Sequence, residues 1–416
     1  VAAGWSPGPR RRVESRPRRP HLLDMRVLVC PTAFKGSLGA AEACAAMARG
    51  LAAVRPAWRL ELLPLSDGGP GLLDALWAAG ARSPSDRLPG PGTPGEPEGR
   101  EAALRSAGTA ERVEVPGPLG DPVEARLLWL NWEAVLESAD ACGLERLGER
   151  RAPLEADTRG VGALVRHALD GGARAVRIGL GGSASTDGGT GMARAFGWRF
   201  LDEHGAELPQ GGGALRRLAR IEPGSRPGGA AAEITALADV ETPLLGLRGA
   251  ARTFGPQKGA SAAEVERLVA GLERLAERLG SDVGRWAADA VSAPGSGAAG
   301  GLGAGCAVFL GARLVPGAAW VLHRTGFDER LARAELVVTG EGAWDRSSAA
   351  GKITWEVIGR ARAAGVRALL LCGRLDAEVP EGVGAFDGGG AWLDAAGLER
   401  LAARAADSLQ EFGDAR

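Results

Sequence analysis

The sequence predicts an α/β protein with largely parallel sheets, and three observations carry that expectation. Short apolar runs alternate with amphipathic helical stretches along most of the chain, acids and glycines recur just past the ends of the apolar runs, and no heptad or solenoid period interrupts the pattern. Strands are expected at Val27–Cys30, Leu60–Leu65, Val123–Leu130, Ala175–Leu180, Ile234–Ala238, Leu336–Thr339 and Ala368–Cys372. Helices are expected over Ala40–Ala53, Gly160–Leu169, Ala262–Leu279, Ile353–Ala364 and Ala395–Leu409. A length of 416 residues, 45% of them hydrophobic, suits two or three domains with substantial cores.

Charge and cysteine usage exclude several classes. Fifty basic side chains face 51 acidic ones, a net charge of −1 that sets up no long-range field, so neither nucleic acid nor an anionic membrane surface is an expected partner. No apolar run reaches the ~18–20 residues that a membrane-crossing helix requires. The five cysteines (Cys30, Cys44, Cys142, Cys306, Cys372) are scattered and lack CxxC spacing. They read as small buried hydrophobes in a reducing compartment, which makes the cytoplasm the expected location. Residues 1–24 carry RRR and RPRRP without an apolar core of a signal peptide. They read as a disordered basic extension, or as sequence upstream of a start at Met25. Residues 82–108, rich in Pro, Gly, Ser and charge, read as a disordered surface insertion.

The composition draws attention to particular residues. Only three of the fifty basic side chains are lysines, and Lys35, Lys258 and Lys352 each adjoin glycine. In a chain this rich in arginine, a retained lysine points to a need for a compact ammonium in place of a planar fork. Asp67, Asp187, Asp239 and Glu341 each stand just past an apolar run, where open α/β sheets bind ligands, and Asp345 follows four residues after the last. Two glycine-rich segments, 179–189 and 294–303, let backbone N–H groups approach an anion closely ahead of a helix. Gly295-x-Gly297-x-x-Gly300 formally matches a dinucleotide fingerprint, but Pro294 stands where a strand should precede it, which leaves a dinucleotide oxidoreductase as a third reading. Glycine loops, ammonium groups and carboxylates able to hold Mg²⁺ suit phosphoryl transfer, a reaction catalysed mainly by positioning and charge neutralisation. A GxSxG elbow is absent, and the four histidines lie outside these motifs.

Seven ordered segments resemble the type 1 glycerate kinases: PTAFKGSLGAAEA (31–43), LPLSDGGPG (63–71), VLESADACGL (135–144), IGLGGSASTDGGTGMARAFG (178–197), ADVETPLLGLRGAARTFGPQKGA (238–260), GSGAAGGLGAGCAVFLGARLVPG (295–317) and LVVTGEGAWDRSSAAGK (336–352). The resemblance implies ATP-dependent phosphorylation of D-glycerate, with 2-phosphoglycerate the favoured product, in a cytoplasmic monomer or homodimer. It implies two α/β domains around a cleft: a discontinuous flavodoxin-like domain from 25–75 and about 285–416, and an inserted domain over about 76–284. On this reading Asp187 is the base or orienting carboxylate for the acceptor hydroxyl, and Lys35 and Lys258 neutralise the substrate carboxylate or the moving phosphoryl group. Ser37, Asp67, Gly181, Gly182, Ser183, Ser185, Asp239 and Lys352 are the candidates for substrate or phosphate. Gly297, Gly300, Gly301, Glu341 and Asp345 are those for ATP, with Mg²⁺ on Asp67, Asp239 and Glu341.

The chain also departs from the family's usual motifs. Thr32 and Ala33 stand in place of Asp-Ser, Pro70 in place of glutamate, Thr186 and Thr242 in place of asparagine, Ala343 in place of arginine, and Ser347-Ser348 in place of Gln-Thr. These changes support an alternative function: a degenerate paralogue that binds nucleotide or hydroxy acid without turnover.

Overall fold

The structure is a computed structural model that describes residues 24–34, 36–80, 108–225, 232–346, 348, 352–390 and 392–409. The expected disordered stretches at 1–24 and 82–108 lie outside the described residues, apart from Asp24 and Gly108. In chain order the strands are β1 (Arg26–Val29), β2 (Arg59–Leu62), β3 (Thr109–Pro116), β4 (Pro122–Leu130), β5 (Glu133–Glu137), β6 (Ala175–Gly179), β7 (Arg199–Leu201), β8 (Arg220–Glu222), β9 (Glu233–Ala238), β10 (Arg313–Pro316), β11 (Leu336–Trp344), β12 (Arg367–Leu375) and β13 (Val383–Asp387).

Two sheets organise them. The first has five parallel strands in the order β2-β1-β11-β12-β13, the doubly wound order of a flavodoxin-like sheet. The second runs β10-β9-β6-β5-β4-β3, parallel from β10 to β5 and antiparallel from β5 to β3. β7 and β8 form a separate antiparallel ribbon. All seven expected strands exist, and the five expected helices match Ala40–Val54, Arg159–Asp170, Ala262–Arg278, Ile353–Ala363 and Ala395–Ser408. The third of these is capped as its sequence dictates: the Ser261 hydroxyl accepts from the Glu264 N–H, and the Glu264 side chain accepts from the Ser261 N–H.

Two expectations change. Residues from about 285 were assigned to the flavodoxin-like part, but β10 hydrogen-bonds to β9 as the edge of the second sheet. Ala287, Leu302 and Phe309 also belong to the second sheet's core, where Phe309 meets Trp198 and Phe200 edge-on at ring separations of 5.0 and 5.7 Å. Apolar burial, not the glycine run, sets that boundary. The other change is in β11, which runs five residues past Thr339 because its pairing with β12 continues to Trp344 opposite Leu375. Glu341 therefore lies inside a strand. The five cysteines are free and buried.

The sheets meet at residues 67–72. Gly68 and Gly71 adopt left-handed φ values of 96° and 90°, which glycine tolerates at no steric cost. Glu137, at the end of β5, accepts from the N–H groups of Gly71 (3.2 Å) and Leu73 (2.9 Å) and so caps the helix Leu72–Ala78. Leu28, Cys30, Leu63 and Leu65 from the first unit share one core with Leu128, Leu130, Val135 and Leu237 from the second. At the contact itself, a Cβ on Gly317 would lie 2.0 Å from the carbonyl oxygen of Asp67. Gly317→Ala should therefore lower stability by ~1–3 kcal/mol, the usual cost of overpacking. Urea unfolding of the full chain checks this, with a shifted midpoint at unchanged m-value as the expected outcome.

Candidate active site

The flavodoxin-like order reverses between β1 and β11, and ligands of such sheets bind beyond the carboxyl ends of the strands at that point. A cavity of about 360 Å³ lies there, lined among others by Thr32, Ala33, Ser37, Asp67, Glu341, Ala343, Asp345, Lys352, Arg374 and Trp392. Unequal strand lengths open it. β1 ends at Val29 opposite Val338, and the Thr32 N–H makes a last bond to the Gly340 carbonyl at 2.9 Å. β11 then continues alone on that side.

Charge is concentrated on one wall of the cavity. Glu341 is buried, and its Oε2 lies 3.9 Å from Nζ of Lys352. Lys352 immediately precedes the helix Ile353–Ala363, whose first-turn N–H groups add positive potential. Asp345 accepts from the N–H of Ser348 at 3.3 Å and donates its own N–H to the Ser348 hydroxyl at 3.2 Å. Asp67 accepts from the Gly69 N–H at 3.1 Å, which turns the seam between the sheets into part of the cavity wall. The Ser37 hydroxyl donates to the Phe34 carbonyl at 3.1 Å. Lys35 lies outside the described residues.

A second group of expected residues assembles deeper. Lys258 is 3% exposed, and its Nζ donates to the Ser183 hydroxyl at 3.1 Å and to the Ser185 carbonyl. Burial pushes its pKa down to about 8, opposed by the charges of Cys142 and Asp187. Gly300 and Gly301, at φ 72° and 91°, are buried against this group; a Cβ on Gly300 would sit 2.8 Å from the lysine Nζ. A Cβ on Gly297 would likewise fall 2.2 Å from the Pro243 carbonyl oxygen. These three glycines are closely packed and are not among the residues lining this cavity. The fingerprint reading fails with them, because the helix Arg285–Ser292, not a strand, precedes the segment.

Asp187 lies in the same deeper group. Its side chain is fully buried: Oδ2 accepts from the Thr158 hydroxyl (2.8 Å), the Thr158 N–H (3.2 Å) and the Gly191 N–H (2.9 Å), and Oδ1 from the Gly189 N–H (3.2 Å). A carboxylate so engaged organises the turn and the helix Thr190–Arg194, with Oδ2 fully used and a single bond to Oδ1. Asp239, at the end of β9, is half-buried and does not line the cavity. The expected Mg²⁺ set of Asp67, Asp239 and Glu341 is thus not brought together, and among the described residues no three His, Cys, Asp or Glu side chains gather as metal ligands. The two groups still connect through one segment. Asp67 lines the cavity while the Pro70 ring packs on Gly181 and Gly182, whose absent Cβ atoms would fall 3.1 and 2.9 Å from it.

Sequence reasoning did not single out Arg374 or Trp392, which also line the cavity. Arg374 pairs in register with Ala343 across β11 and β12, so a guanidinium stands one strand away from the alanine. The run Gly388-Gly389-Gly390 directly upstream was the available signal for Trp392.

The profile of the glycerate kinase family matches residues 27–94 and 95–411. The chain belongs to the glycerate kinase family. A protein of Halalkalibacterium halodurans named glycerate kinase is 37% identical to this family member over 353 residues, 84% of this chain and 85% of its own. A protein of Escherichia coli named glycerate 2-kinase is 36% identical over 338 residues, 79% and 80% of the two chains. The crystal structure of a Salmonella typhimurium LT2 chain described as a glycerate kinase 2 superposes with a TM-score of 0.72 at 32% identity, covering 94% of this chain and all of that one. This glycerate kinase family member is accordingly an enzyme of the kinase class. No helix among its described residues is long and apolar enough to cross a membrane.

The buried ammonium of this kinase has a signature in stability. Below about pH 8 Lys258 is charged in both folded and unfolded chains, and folding carries the cost of burying it. Between about 8 and the ordinary value of 10.5, the unfolded chain holds a proton that the folded chain has released, so stability rises with pH by about 3 kcal/mol over that window. The buried cysteines work in the opposite sense above pH 9, so the measurement is a difference: the unfolding free energy of wild type minus that of Lys258→Met, followed from pH 7 to 10.5. An upward slope in that difference is the expected outcome. Asp187→Asn should unfold more readily than wild type even with no substrate present, by ~1.5–3 kcal/mol or more, because a charge-assisted hydrogen-bond cluster is lost.

Proposed function

We propose that this chain transfers the γ-phosphoryl group of ATP to a hydroxyl of D-glycerate, giving 2-phosphoglycerate and ADP in the cytoplasm. The observation that carries the reading is the cavity at the β1/β11 reversal, where Lys352 and the buried Glu341 lie 3.9 Å apart beside Asp67 and Asp345 in a chain of this family. In this reading the Lys352 ammonium and the adjoining helix N-terminus draw the nucleotide's phosphates into the cavity and offset their charge. Asp67 and Glu341 would hold Mg²⁺. They fit it in donor type, since one or two carboxylates plus phosphate oxygens is the usual way this ion is held on a nucleotide. When bound, the ion neutralises charge on the β- and γ-phosphates.

Roles for the deeper group follow from its geometry. Lys258 and Asp187 keep the 181–189 loop in shape, and the Gly181–Gly182 backbone meets the cavity wall through Pro70. Their contribution to turnover is then one of positioning. Lys35 and Ser37, next to the cavity in sequence, remain the proposed contacts to the acceptor.

A second reading, binding without transfer, draws on the siting of the departures: Thr32, Ala33 and Ala343 all line the cavity. Release of ADP in the presence of D-glycerate, ATP and Mg²⁺ separates the two. Turnover is the expected result, with phosphorus NMR of the product showing the phosphoryl group on the 2-hydroxyl. Lys352→Ala should reduce kcat/KM by about 100-fold or more, in line with removal of a charge-stabilising donor. Heat-stable wild-type protein that binds ATP yet releases no ADP would establish the second reading instead.

A further inference from the structure

The cavity lining combines charged side chains with apolar ones. Trp392, Phe34 and Leu393 line the same cavity as Lys352 and Glu341. Phe34 and Leu393 are buried at 1% and 7% exposure, but Trp392 is 76% exposed. Trp77 and Trp286 are exposed too, but they do not line this cavity, so Trp392 is distinguished by its place and not by its exposure. The ring is nevertheless seated: Gly36 lies beneath it at φ 84°, and a Cβ there would fall 2.2 Å from Cζ3 of the indole. Gly390, at φ 84°, also lines the cavity, and Asp394 caps the following helix through the Gly397 N–H at 2.7 Å. Trp392 is thus seated at the cavity against the Gly36 backbone.

Glycerate has a carboxylate and two hydroxyls on three carbons, and no flat apolar surface for an indole to cover. A nucleotide has both a flat base and a polyanionic end. We propose that Trp392 is the base platform of the nucleotide subsite, with the purine against the indole and the phosphates directed to Lys352. This rests on the kinase reading above and adds a residue outside the motifs that carry the family resemblance. Stacking on an aromatic ring tolerates any base, so the platform binds purine nucleotides with little discrimination between adenine and guanine.

The test is calorimetric titration of ADP, and separately GDP, into the full chain as wild type, Trp392→Ala, Trp392→Leu and Trp392→Phe, with the melting temperature of each recorded. Trp392→Ala and Trp392→Leu should raise the Kd of both nucleotides by about five- to a hundredfold, the range found for loss of a base–aromatic stack. Trp392→Phe should recover most of the affinity, and the KM for D-glycerate should not move. The Leu variant keeps apolar bulk without a flat face, so a loss shared by Ala and Leu but not Phe at unchanged melting temperature isolates stacking. Unchanged ADP affinity in a folded, active Trp392→Ala protein overturns the platform while leaving the kinase reading in place. A wild-type chain that binds no ADP overturns both.

Discussion

The close approach of two backbones at residues 67–72 is the constraint on which the rest depends. Asp67 can face the cavity only because the turn behind it fits against Gly317, Leu237 and Gly179 without a side chain between them. Its register is fixed from the other sheet by a single carboxylate, Glu137, which is 2% exposed and whose pKa burial pushes up to about 7. The seam therefore couples the two halves mechanically. A shift of the second sheet is passed to Asp67 through Pro70, and from Asp67 to the cavity.

Charge is used in two distinct ways on either side of that seam. In the cavity, Lys352, Asp67 and Asp345 are partly open to solvent while Glu341 is buried beside the lysine, so the lysine can trade partners when a polyanion enters. Behind it, Asp187 and Lys258 are saturated by Thr158, the 189–191 backbone, Ser183 and Ser185. A saturated buried charge gives shape at high cost of removal; a half-solvated one gives chemistry. The same residue types at similar motif positions thus do different work, and depth in the fold distinguishes them.

That distinction marks the limit of what could be read from the chain alone. Strands β1, β9, β11 and β12 were legible as near-continuous apolar runs, and β2, β4 and β6 as shorter apolar stretches broken by single Glu or Arg residues. β3 alternates exposed Glu and Arg with half-buried Val, and β10 and β13 are short edge strands, so their signals were weak. Asp67, Glu341 and Asp345 stood out by their place after apolar runs and Lys352 by the scarcity of lysine, and the fold brings all four to one cavity. Asp187 and the glycines 297, 300 and 301 were given ligand roles for the same reason, since a glycine required by packing and one required by a phosphate look alike in a string of letters. Trp392 escaped because it follows no strand and belongs to no periodic pattern.

The way the first sheet is stitched together has a consequence for how the protein is made. β1 is among the earliest segments described, yet its neighbour β11 lies some three hundred positions later: the Thr339 hydroxyl and the Cys30 carbonyl that it bonds are 309 residues apart. On the ribosome, β1 can pair early with β2, but its β11-facing edge must wait for most of the polypeptide, whereas the second sheet's strands have all emerged once β10 has. Until β11 arrives, that side of β1 is an unpaired strand edge, the kind of surface that invites pairing with other chains.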